Sequence, residues 1–233
     1  PVGAWLFVIA SGVPFGINGA SFALAAALVA SVTARPTAPV THAREHSRSF
    51  VTDLREGLAW LWAHRNIRTL AILLGVTNGA FIMGESIFVK FAFRYLGVGP
   101  RGYGLLLALT SAGAIVGGLV GDRIAGKLGV SASIIGAYIV FAFTDAIRAG
   151  FPNIAVVAVT SAVMGLAGTV WNIVTVSYRQ RVIPPELFGR VNSAYRFIGT
   201  GSQALGALAG GFIAHSAGLR APFFTGSAVT VAA

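Results

Sequence analysis

Residues 102–121 read GYGLLLALTSAGAIVGGLVG, a run with no charged side chain. A helix needs about 20 largely apolar residues to cross the hydrocarbon core of a bilayer, so this run is long enough to span. The pattern recurs along the chain. Residues 5–32, 149–178 and 197–219 are also free of Asp, Glu, Lys and Arg, whereas 69–89 carries only Glu85 and 128–147 only Asp145. These make six full candidate spans, and the apolar residues 221–233 are a seventh that stops too soon to cross.

Composition agrees. Of 233 residues 55% are hydrophobic and only 10% charged, with a mean hydropathy of +0.78, against about 25% charged residues in an ordinary soluble domain. Spanning β-strands would alternate polar and apolar residues over about 10 positions, and no such alternation is present. The absence of Cys excludes a disulfide framework and thiolate metal sites. No metal site or cofactor is expected.

The formal charge of +10 could signal nucleic acid or cytoplasmic loops, and position decides between them. If successive spans alternate in direction, one side receives Arg35, Arg44, Arg48, Arg55, Arg65, Arg68, Arg123, Lys127, Arg179, Arg181, Arg190 and Arg196. The other receives Lys90, Arg94, Arg101, Arg148 and Arg220. The richer side is cytoplasmic by the positive-inside rule, and no nucleic-acid partner is expected. The first span then runs outside to inside, which makes it even-numbered and implies earlier ones.

The connection at 34–68 has two parts. Pro36 and Pro39 mark a linker, and His42, His46 and His64 read as surface residues rather than metal ligands. From Phe50 onward, Leu54, Leu58, Leu61 and Trp62 recur at helical spacing opposite Asp53, Arg55 and Glu56. That pattern predicts an amphipathic helix along the inner membrane surface, anchored by Trp60 and Trp62.

Glycines spaced by four residues let helices approach closely in lipid. Gly75 with Gly79, the series Gly113, Gly117 and Gly121, and Gly206 with Gly210 have this spacing. Counting from span ends places Asn18, Thr77, Asn78, Thr110, Ser111, Ser202 and Gln203 near mid-membrane. Unpaired polar groups are costly there and tend to face a cavity or another helix. A neutral pathway with abundant aromatics suits an amphiphilic organic solute, although each residue is equally compatible with a helix-to-helix hydrogen bond. An acid within a span is a proton-relay candidate. Glu85 is the candidate of that kind, whereas Arg148, three residues after Asp145, accounts for Asp145 as a local ion pair.

Two turns on the basic side carry a family resemblance. Gly121-Asp122-Arg123-Ile124-Ala125-Gly126-Lys127 resembles the G-x-x-x-D-R-x-G-R-[KR] signature of the major facilitator superfamily, with Ala125 and Gly126 departing from it. Arg179-Gln180-Arg181 through Pro184, Leu187, Gly189, Arg190 and Val191 looks like a connection of its exporter branch, which includes enterobactin-exporter-like and macrolide-efflux-like permeases.

The resemblance implies an all-α integral membrane bundle in which residues 1–33 are the last helix of the amino half. Residues 34–68 would be the central cytoplasmic loop, and 69–233 most of the carboxyl half. It further implies alternating access and proton-driven export of a small molecule across a bacterial plasma membrane, with no enzymatic activity. Gly121, Asp122, Arg123, Lys127, Arg181 and Arg190 would form a cytoplasmic gate. An importer of a small metabolite and a non-transporting receptor or assembly subunit stay open as alternatives. If Asp122 gates by reversible charge contacts, Asp122→Asn is expected to slow solute flux without lowering the amount of protein in the membrane. Flux at the wild-type rate would leave Asp122 a structural turn residue.

Overall fold

The computed structural model describes residues 12–31 and 50–233, and the chain divides into two units, Pro1–Ser49 and Phe50–Ala233. In the first unit the described element is α1 (Val13–Ser31), an apolar helix of 19 residues. Its Ser21 and Ser31 hydroxyls donate to the carbonyls of Ile17 and Leu28, so they need no partner outside the helix. The predicted linker with His42 and His46, and the beginning of the first span, lie outside the described residues.

The second unit contains α2 (Phe50–Ala63), α3 (Arg65–Glu85), α4 (Phe88–Tyr95), α5 (Pro100–Gly150), α6 (Ile154–Val182), α7 (Pro185–Ala217) and α8 (Ala221–Ala232). As one straight rod, the 51 residues of α5 would measure about 77 Å, far more than a bilayer core. It is not straight. Gly129 has φ 78° and ψ 170°, a conformation that side chains with a Cβ avoid, and it separates arm 100–128 from arm 130–150. Elsewhere proline opens the helices, as at Pro100, Pro185 and Pro222. Asn153 caps α6 by accepting a bond of 2.8 Å from the Ala155 amide.

Side-chain contacts fix the directions. Gly113 meets Ala162, Gly117 meets Leu166, and Gly121 meets Ile173, so the first arm of α5 runs parallel to α6. Arg148 bonds Thr160 and Ser161, Thr144 contacts Met164, and Tyr138 packs on Trp171, so the second arm runs antiparallel to α6. The chain therefore reverses at Gly129. By the same test α3 is parallel to α7, through Gly79 on Ser202 and Gly210 on Met83, and antiparallel to α8, through Gly226 on Ala80 and Gly84 on Phe223.

These reversals match the predicted alternation of spans. Among the described residues four helical segments are long and apolar enough to cross a membrane, at Arg65–Tyr95, Pro100–Gly150, Ile154–Val182 and Pro185–Ala217. The break in the second makes five crossings. Large apolar side chains such as Ile115, Leu119, Ile139, Phe143 and Phe212 are exposed on the outside of the bundle, as expected of surface that meets lipid tails. The helix ending the unit, α8, is 12 residues long.

Two apolar clusters sit at opposite ends. Leu61, Leu70, Val174, Ile183 and Val191 belong to one, near the Gly129 and Pro184 turns. Ile87, Phe91, Leu106, Val157 and Phe223 belong to the other, near the remaining connections. Helix α7 starts at Pro185, ahead of the charge-free run at 197–219, because charges in its first turns do not prevent helix formation where they find partners. One expectation is corrected here. Helix α2 does not leave Asp53 and Glu56 to water alone. Both acids contact Arg190 of α7 at 3.1 Å, and Gly57 lies against the Arg190 carbonyl. Trp62 is exposed, whereas Trp60 packs on the inner cluster and stacks on His64 at 3.7 Å.

The α5–α6 contact is tight enough to test. A Cβ on Gly113 would collide with the Ala162 carbonyl, which helix geometry holds in place, whereas one on Gly118 would meet nothing within 4 Å. Gly113→Leu is expected to lower stability in detergent by about 1–3 kcal/mol or more, and Gly118→Leu to leave the thermal midpoint unchanged. Equal midpoints for the two variants would contradict this packing.

Candidate functional site

Between α3, α5, α6 and α8 lies a cavity of about 410 Å³. Its walls combine the aromatic rings of Phe81, Phe141 and Trp171 with the polar groups of Thr77, Asn78, Thr110 and Asn172, and with one carboxyl group, Asp145. A mostly apolar chamber with a few polar groups is the usual form of a small-molecule site. Gly165 and Gly168 also line it, and a Cβ on Gly168 would meet nothing within 4 Å, so the lack of a side chain there leaves part of this space.

Three of the expected pathway residues meet in this chamber. The Thr77 hydroxyl donates to the Leu73 carbonyl at 2.6 Å and that of Thr110 to Leu106 at 3.3 Å, each within its own helix. Asn78 donates from Nδ2 to the Gly199 carbonyl at 3.2 Å and so also ties α3 to α7. The others are elsewhere. Ser111 is exposed and bonds Leu107, while Gln203 is half-buried on α7 and lines neither this chamber nor the one below. Asn18 is an exposed residue of α1.

The lining is not neutral, contrary to the sequence-based expectation. Asp145, 5% exposed, lies 3.7 Å from Arg148, and Arg148, 2% exposed, also lies 3.5 Å from Glu85. The guanidinium of Arg148 further donates to Thr160 and Ser161 at 3.2 and 3.0 Å and sits 5.4 Å from the centre of the Phe88 ring. The local Asp145–Arg148 pair is present, but Glu85 from α3 joins it. Two carboxylates thus share one guanidinium. Sequence spacing shows the i,i+3 pair and cannot show the third member, which comes from a helix 60 residues earlier (145 minus 85).

A second cavity, about 420 Å³, opens between α3, α6 and α7. It shares Asn78, Trp171 and Asn172 with the first, so the two adjoin. Arg179, Gln180, Asn192 and Arg196 line its other parts, with no acid among the lining residues. The orientation count treated Arg179 as a loop charge, yet it is only 7% exposed.

The expected gate residues divide. Gly121 is buried against Ile173 at the α5–α6 contact, and Arg190 is held by Asp53 and Glu56. Asp122, Arg123, Lys127 and Arg181 are exposed and form no ion pair among the described residues.

A family model described as the Major Facilitator Superfamily matches residues 76–233, most of the second unit and more than half of the chain. No curated protein and no solved structure matches the chain. The reversing apolar helices and the internal chambers are what such a match requires of the fold. The chain belongs to the Major Facilitator Superfamily, a family of multi-pass membrane proteins that act as secondary transporters of small molecules.

Proposed function

We propose that this transporter exports amphiphilic small molecules of the drug or siderophore type by proton-coupled alternating access in a bacterial plasma membrane. The resemblance of the Arg179–Val191 connection to the exporter branch supports this direction of transport. In this reading residues 1–33 carry the last helix of the amino-terminal bundle, 34–68 the central cytoplasmic loop, and 69–233 the carboxyl-terminal bundle. Gly121, Asp122, Arg123, Lys127, Arg181 and Arg190 serve the inner gate.

The observation that carries the reading is the pairing of an aromatic and amide-lined chamber with Glu85, Arg148 and Asp145 at its edge. With all three ionised, the cluster holds one negative charge in excess. Such a charge in a low-dielectric site costs several kcal/mol, on the order of what a buried unpaired ion costs, and one bound proton removes it. Protonation and deprotonation would therefore change the charge beside the solute. Arg148, on the same arm as Asp145, is the charged group that both carboxylates face. Thr160 and Ser161 hold Arg148 from α6 and stay neutral.

Glu85→Gln or Asp145→Asn leaves a balanced pair with Arg148 and removes the reason to bind a proton. In an efflux-deficient host the protein is expected to lower accumulation of a panel of amphiphilic dyes that includes the anionic 1-anilinonaphthalene-8-sulfonate, with the effect abolished by an uncoupler. Each variant is expected to lose about tenfold or more of the gradient-driven component, in line with loss of a positioned proton-transfer group, and to keep downhill exchange. Gradient-driven export that survives in both variants would eliminate this coupling site. Uptake instead of export would favour the importer reading.

A further inference from the structure

The second cavity contains a charge arrangement that the proton cluster does not explain. Arg179 is buried, and no carboxylate among the described residues pairs with it. Its Nε donates to the Thr175 carbonyl at 3.3 Å, its Nη1 to Asn192 Oδ1 at 2.7 Å, and its guanidinium lies 4.0 Å from the centre of the Tyr195 ring. A guanidinium has five N–H donors, so these two bonds orient it and leave donors to spare. Arg196 lines the same cavity, which therefore carries two positive charges and no negative one.

Burying a cation without a counter-charge is costly, and proteins accept that cost mainly where a ligand supplies the opposite charge. Aromatic stacking on Tyr195 offsets part of it, since a cation over a ring gains about 0.5–2 kcal/mol. The two hydrogen bonds offset a further part, but no lining neighbour supplies a negative charge: the polar ones include the amides and hydroxyls of Asn78, Asn172, Gln180, Asn192 and Thr200. These neutral groups can donate hydrogen bonds to an anion as readily as they accept them from a cation. Arg190, two residues before Asn192 on α7, makes the contrast: it is half-buried and has two carboxylates at 3.1 Å.

Resting on the transport reading above, we propose that the guanidinium of Arg179 is the subsite for an anionic group, a carboxylate or sulfonate, on the transported amphiphile. The fork geometry of arginine suits a two-oxygen anion. The apolar body of the solute then extends past Trp171 and Asn172, which both cavities share, into the aromatic chamber. Asn192 is a positioning residue that fixes the guanidinium.

Two probes with the same body separate the charge from the rest of the molecule: 2-naphthalenesulfonate and the neutral 2-naphthalenesulfonamide, titrated calorimetrically into the purified full chain in an uncharged detergent. The wild-type protein is expected to bind the sulfonate about ten- to hundredfold more tightly than the sulfonamide, the range for a charge-assisted hydrogen bond in a shielded site. Arg179→Gln is expected to abolish that preference while changing sulfonamide binding less than twofold, and Arg179→Lys to restore part of it. Equal binding of the two probes by wild type, or equal loss of both in Arg179→Gln, overturns the proposal. If Arg179→Gln does not fold, the wild-type ratio and the Arg179→Lys variant decide alone. A protein that exports the dye panel but shows no sulfonate preference overturns the anion subsite and leaves the export reading standing. One that binds the sulfonate through Arg179 and moves no solute overturns export and leaves the subsite.

Discussion

Everything in the second unit depends on how closely α6 can lie against the first arm of α5. Gly113 faces the Ala162 carbonyl and Gly165 faces the Thr110 carbonyl, so each helix presents a glycine to the backbone of the other. Lipid tails are as apolar as leucine, so burial of apolar surface contributes little to helix association in a membrane; van der Waals contact between backbones has to do it. That contact also sets the rotation of α6. With Gly165 turned to α5, the ring of Trp171 and the amide of Asn172 fall on the wall of both cavities, and two turns further on Arg179 comes to line the second.

The second constraint is the cost of charge in a low dielectric. Spanning helices satisfy their own backbone groups, and their hydroxyl side chains return hydrogen bonds to carbonyls one turn back, as in Thr77, Thr110, Thr144, Thr160, Thr169 and Thr175. Ionisable groups have no such local solution. Arg148 is placed where Glu85, Asp145, Thr160 and Ser161 converge on it from three segments, which ties α3, the second arm of α5 and α6 together at one end of the unit. At that end Arg220 also donates to the carbonyls of Ala149 and Gly150, satisfying acceptors that the end of a helix leaves open.

Much of this architecture is written in the charge gaps. Each charge-free run corresponds to a helix, and the alternating directions follow because connections are short and every crossing must return. Depth in the membrane is legible by counting; facing is less so. Thr110 and Ser111 have nearly the same depth, but successive residues of a helix point about 100° apart, so one lines the chamber and the other faces outward. Gln203 is misplaced for the same reason. The amphipathic pattern of α2 predicts its helix and its apolar face, yet cannot reveal that its acids face Arg190, because that contact joins residues 134 positions apart.

Counting basic residues by side of the membrane hides what individual arginines do. The rule needs only the position of a residue near a span end, and Arg148, Arg179 and Arg190 all satisfy it. Their surroundings differ by the amount of water each has lost and the charge each has gained. Arg190 keeps partial exposure and has two acids, Arg148 is buried and has two acids, and Arg179 is buried and has none among the described residues. A residue kept for orientation or for anchoring should follow the rule that a cation which loses water gains counter-charge. Arg148 and Arg190 follow it. Arg179 departs from it, and it does so on the wall of a cavity whose other charged side chain is also an arginine. The first cavity, by contrast, borders a cluster with an excess carboxylate. Opposite signs at two adjoining chambers give the interior a polarity along its length that neither the net charge of the chain nor the spacing of its basic residues contains.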